Sequence, residues 1–411
     1  MPQAHPDRNI KLLFVYWFLR DFQLWIPVWI VFLTLERGFS LTQVTLAEGI
    51  FLVGVLVLEV PTGAIADRYG RSGSMALGAL VLGASVLIFA FTTSFTILLV
   101  SFLLWSVASA LMSGADSALL FETLKAANRE REYERLAGRG VALAWAGVGM
   151  ATFLGGPVAS LFDIRTTIYI GAGTCLLTAA TAISIWEPPH VRSERREQSY
   201  VGSIGAAFKE AWQAVDVRIL LLLAGSSLAA LESVHYLVQP YLLKSGVEVG
   251  VWFSSLQVPL LLAGIVGALA ADRLSSRSGS VRLLVVGPIA GAVCFAVLAA
   301  HPELGAYAAL PVITGIGSCL EPVAAGYLNR RISSERRATV LSIQNMLRSL
   351  VMAVLAPTLG FATDEWGLGQ AFAICAAMTL VAAVVFGIPL ALRARGAGLE
   401  AGSVAESSAA G

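Results

Sequence analysis

Charged side chains that interrupt long apolar runs are the first sign of chemistry in this sequence. Arg20 and Asp21 stand side by side within an apolar run from about Leu12 to Leu35. Asp116, Glu232, His235, Glu321 and Arg348 interrupt four other such runs. A charge held in hydrocarbon costs at least ~2.5–3.5 kcal/mol on insertion scales, so each is a candidate for function. A desolvated carboxylate exchanges protons closer to neutral pH than an exposed one. Asp21 and Glu232 are therefore the foremost proton-coupling candidates, with Asp116, Glu321 and His235 behind them. Glu232 has no basic residue on its own helix face beyond His235. The competing roles are structural: Asp21 or Asp116 can neutralise Arg20, and His235 can be a hydrogen-bonded packing residue. Arg20 and Arg348 would suit an anionic or carboxylate-bearing solute.

Spacing groups further residues with these charges. Tyr16, Arg20, Gln23 and Pro27 fall at i, i+4, i+7 and i+11, the period of one helix face. Glu232, His235, Tyr236 and Gln239 repeat at i, i+3, i+4 and i+7, and Gln344, Asn345, Arg348 and Met352 are spaced comparably. Ser106, Ser109, Ser113 and Asp116 form a polar stripe of their own, echoed by Ser318 and Glu321. The expected cavity residues are Tyr16, Arg20, Gln23, Trp25, Tyr236, Gln239, Gln344, Asn345 and Arg348.

The elements that must carry these residues follow from composition. Of 411 residues, 57% are hydrophobic and 13% charged, against roughly 45–50% apolar and 25% charged in a soluble domain. A helix needs about 20 mostly apolar residues to cross ~30 Å of hydrocarbon. Twelve such segments can be marked, at about 12–35, 42–63, 74–93, 95–121, 140–161, 166–186, 218–243, 250–271, 281–300, 304–328, 338–362 and 367–392. The first is too long for the apolar core of a signal peptide and has no small-residue cleavage pattern, so it is read as a span. With twelve spans, one membrane side holds all but five of the 28 Lys and Arg residues; Arg37, Arg165 and Lys244 fall opposite, and Arg20 and Arg348 lie within spans. The positive-inside rule then places both termini in the cytoplasm. The expected location is the plasma (inner) membrane, crossed many times.

The chain also repeats itself. Asp67-Arg68 and Asp272-Arg273 lie 205 residues apart, as do Ser113 and Ser318, Asp116 and Glu321, and Glu130 and Glu335. Pro157 and Pro357 are 200 apart. Between Glu187 and Asp216 the chain turns polar, with a possible amphipathic helix near Ile204–Val215. The expected organisation is a six-helix bundle over 1–186, a cytoplasmic linker over 187–217, a second bundle over 218–393 and a disordered tail over 394–411. Repeated halves about an axis normal to the membrane are a transporter architecture, with the substrate site between them near the midplane.

One loop is more specific. Gly63-Ala-Ile-Ala-Asp67-Arg68-Tyr-Gly70-Arg71, between the second and third spans, resembles the G-x-x-x-D-R-x-G-R-[RK] signature of the major facilitator superfamily, and Asp272, Arg273 and Arg277 keep part of a second copy. The resemblance covers essentially the whole chain. It implies an all-α integral membrane fold of 12 transmembrane helices as two pseudo-symmetric six-helix bundles. It also implies a conformational latch formed by Gly63, Asp67, Arg68, Gly70 and Arg71, with Asp272 and Arg273 as its second copy and Glu122 as partner for the arginines. The sequence departs from the drug-antiporter members: Ser72 replaces the last basic residue, Trp105 stands where they carry an arginine, and span five keeps only Gly155-Gly156-Pro157 of G-P-x-x-G-G.

Together these readings predict a secondary active transporter working by alternating access, with proton-coupled efflux of a small organic solute. The alternatives are uptake or facilitated diffusion of an anionic metabolite, and a membrane sensor that does not transport. No Walker A pattern, nucleophile elbow or metal-ligand spacing occurs, so ATP-driven transport, enzyme activity, cofactors and metals are not expected. Cys175, Cys294, Cys319 and Cys375 sit in apolar runs and read as buried thiols. The net charge of +1 gives no reason to expect nucleic acid. The expected partners are a small-molecule substrate, protons and the lipid bilayer, and the expected working unit is a monomer.

Overall fold

Long apolar sequences can satisfy every backbone donor and acceptor inside hydrocarbon only as helices or closed barrels. In the computed structural model the chain takes the helical solution. Residues 6–188, 212–332 and 337–396 are described, apart from the side chains of residues 60, 63–69, 338 and 396. The proposed amphipathic helix near 204–215 and the tail after Gly396 lie largely or wholly outside the described residues. Among the described residues no strand occurs.

Twelve helical segments are long and apolar enough to span a membrane. They cover Pro6–Glu36, Leu41–Glu59, Arg71–Phe91, Phe95–Ala126, Glu130–Leu161, Ile164–Ile183, Val215–Lys244, Val251–Ser278, Ser280–Ala300, Leu304–Asn329, Thr339–Trp366 and Leu368–Arg395, numbered spans 1 to 12 below. Their outer faces carry large apolar side chains: Leu161, Leu269 and Trp252 are each more than 70% exposed. Exposed apolar surface on that scale belongs against lipid rather than water.

The described residues of 1–193 pack with 247–258 as one unit, and those of 194–246 pack with 259–411 as the other. Within the first unit, span 1 lies on spans 5 and 6, and span 3 lies on spans 4 and 6. Within the second, span 7 lies on spans 11 and 12, and span 9 lies on spans 10 and 12. The pairings repeat with an offset of six spans, so the sequence repeat is also a packing repeat. The start of span 8, Val251–Ser255, packs on span 5 in the first unit.

Span 5 can approach its neighbours closely because it presents glycines to them. A Cβ on Gly147 would lie 2.6 Å from the Phe18 carbonyl oxygen of span 1, and one on Gly156 would lie 2.1 Å from the Gly250 carbonyl oxygen. Gly155 of the shortened antiporter-like motif meets Leu24 and Pro27 in the same way.

Several spans expected to be continuous are broken. Span 1 is an α-helix over Pro6–Asp21, then a 3-10 turn at Ile26–Val28, a short α-helical turn and a π-helix at Phe32–Glu36. Span 4 breaks at Gly114, whose φ of 70° suits glycine, between helices Phe95–Met112 and Ala115–Ala126. Span 7 breaks at Ser233, between Val215–Glu232 and Val234–Lys244.

Candidate functional site

The helix breaks fall on the embedded carboxylates. Asp21 is the last residue of the first helix of span 1, and Glu232 the last residue of the first helix of span 7. A helix C-terminus carries partial negative charge, so a carboxylate there is unfavourable unless a cation compensates. In the first unit Arg20 is that cation. Its Nη2 pairs with Asp21 Oδ2 at 2.8 Å and its Nη1 with Asp116 Oδ2 at 2.7 Å. Asp116 belongs to the first turn of Ala115–Ala126, where the helix end favours an anion. Its Oδ2 also accepts from Trp17 Nε1 at 2.7 Å, and its Oδ1 from the Ser117 amide at 2.6 Å and the Ser117 hydroxyl at 3.1 Å. Asp116 is thus buried and fully bonded, whereas Asp21 stays partly open, its side chain 29% exposed.

The three charges stand between two cavities of the first unit. One of about 420 Å³ is lined by Gln23, Trp25, Trp105, Ser109 and Ser113 together with Arg20, Asp21 and Asp116. The other, about 460 Å³, shares the same three charges and is otherwise walled by Trp17, Ser117 and mainly apolar residues of span 5, including Trp145. The first has an aromatic wall. Trp25 meets Trp105 edge-on at 5.1 Å between ring centroids, and Trp105 lies 4.9 Å from Phe51 and 5.5 Å from Phe102. Such a site has the half-buried Trp105, backed by the buried Trp25, on one side and an acid-rich ion cluster on the other.

The second unit builds the same arrangement from different helices. Arg348 of span 11 pairs with Glu321 of span 10 at 2.9 Å and with Glu232 of span 7 at 3.7 Å. Asp116 and Glu321 are equivalent in the sequence repeat, and Asp21 and Glu232 both end the first helix of the leading span of their unit. Only the arginine changes element. The second cluster is also more open, with Glu232 and Glu321 45% and 51% exposed.

These contacts alter several expectations. Glu232 does face a basic residue, but it comes from span 11 and is invisible to a reading confined to one helix. The stripe from Glu232 to Gln239 does not meet one environment along span 7, although the i to i−4 bonds from Ser233 to Ala229 and from Leu237 to Ser233 carry the helix across the interruption. Glu232 and His235 are exposed, Tyr236 is half-buried and Gln239 is buried. The stripe from Tyr16 to Pro27 likewise crosses the break after Asp21. Tyr16 is buried and lines neither cavity, its ring lying 5.9 Å from the Arg20 guanidinium carbon. Gln23 is buried and accepts a hydrogen bond from Trp25 Nε1 at 3.0 Å. On span 11, Asn345 is exposed and Gln344 buried, the Gln344 Oε1 having no hydrogen-bond partner among the described residues. Arg20 and Arg348, the two arginines expected to suit an anionic solute, are each shared by two carboxylates.

At the loop between spans 2 and 3, Arg71 Nη1 pairs with Glu122 Oε1 at 2.8 Å. Gly70 has a φ of 99° and precedes the first turn of span 3. A residue missed in the sequence completes this end. Glu187, just past span 6, accepts from the Arg71 amide at 2.6 Å and from the Ser72 hydroxyl at 3.3 Å, placing a carboxylate on a helix N-terminus. A Cβ at Gly70 would lie 2.6 Å from that carboxylate. The Trp-Glu-Pro sequence at 186–188 gave no local sign of this, because the partner is more than a hundred residues away. Gly63, Asp67 and Arg68 fall within the helix Leu41–Tyr69, with side chains outside the described residues. In the second copy, Asp272 and Arg273 are exposed and neither has an ion-pair partner among the described residues. No cluster of three or more potential metal ligands occurs among the described residues.

Two repeated helical units, twelve spans and ion clusters at helix ends within the spans define a multi-pass membrane protein of the solute-transporter type. The sequence model of the Major Facilitator Superfamily matches residues 12–270 and 221–406, and the chain belongs to that superfamily. A Bacillus subtilis (strain 168) protein described as an uncharacterized MFS-type transporter, YxaM, is 29% identical over 89 residues; the match spans 22% of each chain. Among solved structures, the nucleoside transporter NupG superposes with a TM-score of 0.78 at 15% identity, covering 94% of this chain and 98% of that one. A POT family transporter in complex with 5-aminolevulinic acid gives 0.71 at 14% identity, covering 93% and 96%. A bacterial homologue of the human lysosomal transporter Spinster gives 0.69 at 16% identity, covering 95% and 96%. At these identities the likeness is one of fold.

Proposed function

We propose that this chain is a secondary active transporter that works by alternating access and exchanges protons for a small organic solute, moved outward. The observation that carries the reading is the charge count. Each unit holds two carboxylates on one arginine, and among the described residues no other charged side chain lines the two cavities of the first unit. One negative charge is therefore left over in each cluster, for a proton or a cationic group to neutralise. If proton and solute compete for the same carboxylate, one must leave before the other binds, and that exclusion couples their movements. Asp21 is the carboxylate suited to this role. It is the more open partner of Arg20 and ends a helix at a break, so a change in its charge acts on a segment able to reorient.

The preferred solute has an aromatic ring and a positive charge. Trp105, half-buried and backed by the buried Trp25, offers ring surface, and a cation near an aromatic face gains about 0.5–2 kcal/mol. A volume near 420 Å³ lies within the ordinary range for small-molecule sites. The anionic-metabolite alternative is disfavoured because Arg20 and Arg348 are each paired twice. Segregation of Lys and Arg supports cytoplasmic termini in an inner membrane, and one chain, holding both repeats, serves as the working unit. In proteoliposomes, Asp21→Asn, which removes the carboxylate that proton and solute would share, should abolish pH-driven flux of ethidium, an aromatic cation, and weaken its binding. Unchanged pH dependence would remove Asp21 from the coupling role. Glu232→Gln tests the second cluster in the same way.

A further inference from the structure

A cavity of about 400 Å³ in the second unit has no part in either charge cluster. It lies between spans 8, 9 and 10, where Gly267, Ala270, Leu274, Leu283, Gly287 and Gly315 are among its walls, and all of its lining residues are apolar or small. Its floor exists because two backbones touch: a Cβ on Gly267 would lie 2.1 Å from the Gly315 carbonyl oxygen. Its rim includes Val266 and Val312, 65% and 50% exposed, so it opens onto the outer apolar surface. Along span 8 it runs from Ala263 to Leu274. Eleven residues at ~1.5 Å rise give roughly 16 Å, about half of a ~30 Å hydrocarbon core. The groove is one leaflet deep.

Its open end is positively charged. Leu274 and Leu283 flank the turn at Gly279, and around that turn Arg273, Arg277, Arg282 and Arg330 are exposed. Arg330 donates to the Ser280 hydroxyl at 3.0 Å, and none of the four has an ion-pair partner among the described residues. Asp272 is the one carboxylate on this stretch of span 8. Arg277 continues the helical face of Ala263, Gly267, Ala270 and Leu274.

We infer that this groove binds an anionic phospholipid, one acyl chain lying along Gly267 and Ala270 and the phosphate facing Arg277 and Arg282. Leaflet-deep apolar walls beneath uncompensated arginines match the two chemically distinct ends of such a lipid. A zwitterionic lipid would fill the groove without drawing on the arginines. A soluble anion would use the arginines without the groove.

The test is native mass spectrometry of the delipidated full chain, titrated with phosphatidylglycerol, with phosphatidylcholine of the same chains, and with glycerol phosphate. The expected result is one preferentially retained phosphatidylglycerol per chain that glycerol phosphate does not displace. Arg277→Gln with Arg282→Gln should weaken it roughly thirtyfold, the equivalent of about 1 kcal/mol for each basic residue. Ala270→Phe, which fills the groove and leaves the charges, should abolish retention of either lipid. Equal retention of the two lipids by the unmodified chain would overturn the inference, and that comparison requires no variant. Displacement by glycerol phosphate, or full retention by Ala270→Phe, would overturn it as well.

Discussion

Replacing Arg20 by Gln and Asp116 by Asn, singly and together, measures how strongly the first cluster is held. The pair is 2.7 Å apart, with Asp116 8% and Arg20 26% exposed. Two unit charges whose centres are ~4 Å apart interact by about 4 kcal/mol at an effective dielectric constant of 20. Part of that is offset, because Asp116 keeps its bonds from Trp17 and Ser117 when Arg20 is lost. A coupling energy of about 2–3 kcal/mol should remain in the double-mutant cycle. The matching cycle on Arg348 and Glu321 starts from a similar distance, 2.9 Å, but Glu321 is 51% exposed. An open pair of that kind contributes about 0–1 kcal/mol. The assay is reversible unfolding in mixed micelles, followed by the fluorescence of tryptophans such as Trp17, which touches Asp116. Couplings that agree within about 0.5 kcal/mol would refute the claim that burial separates the two clusters.

Three further outcomes follow from single contacts. Trp105→Ala removes the ring packed on Trp25 at 5.1 Å and should weaken binding of an aromatic cation by about 0.5–1.5 kcal/mol beyond lost area, read by equilibrium binding in detergent. Gly147→Ala places a methyl 2.6 Å from a backbone oxygen of span 1 and should cost about 1–3 kcal/mol, seen as a lowered melting temperature, whereas Gly149→Ala, with open space around it, should not. Glu187→Gln keeps the shape at the start of span 3 but removes the negative charge from the helix end. It should lower stability by about 0.3–1 kcal/mol, an effect that shrinks as salt is added.

Span positions were legible because hydrocarbon thickness fixes the length of an apolar helix, and the fold class followed from twelve such lengths and the 205-residue repeat. Embedded charges were legible as residue types: Arg20, Asp21, Asp116, Glu232, Glu321 and Arg348 all fall in the two clusters. Their partners were not. Asp21 ends its helix, and a period-based stripe cannot be carried across that break. The exchange of arginine from span 1 to span 11 was beyond reach for a further reason. It preserves the charge arrangement in space while moving the residue that supplies it to another helix. Glu187 was missed because its role depends on where span 6 ends relative to the start of span 3.

The central claim is that the chain moves a cationic solute across a membrane against protons. The most direct measurement is flux into and out of proteoliposomes under an imposed pH gradient, comparing ethidium, uridine and benzoate with protein-free vesicles. The account predicts pH-driven, protein-dependent movement of ethidium, accompanied by opposite proton movement seen with an internal pH dye. Ethidium that binds the protein yet never crosses, or a gradient that drives benzoate instead, would contradict it.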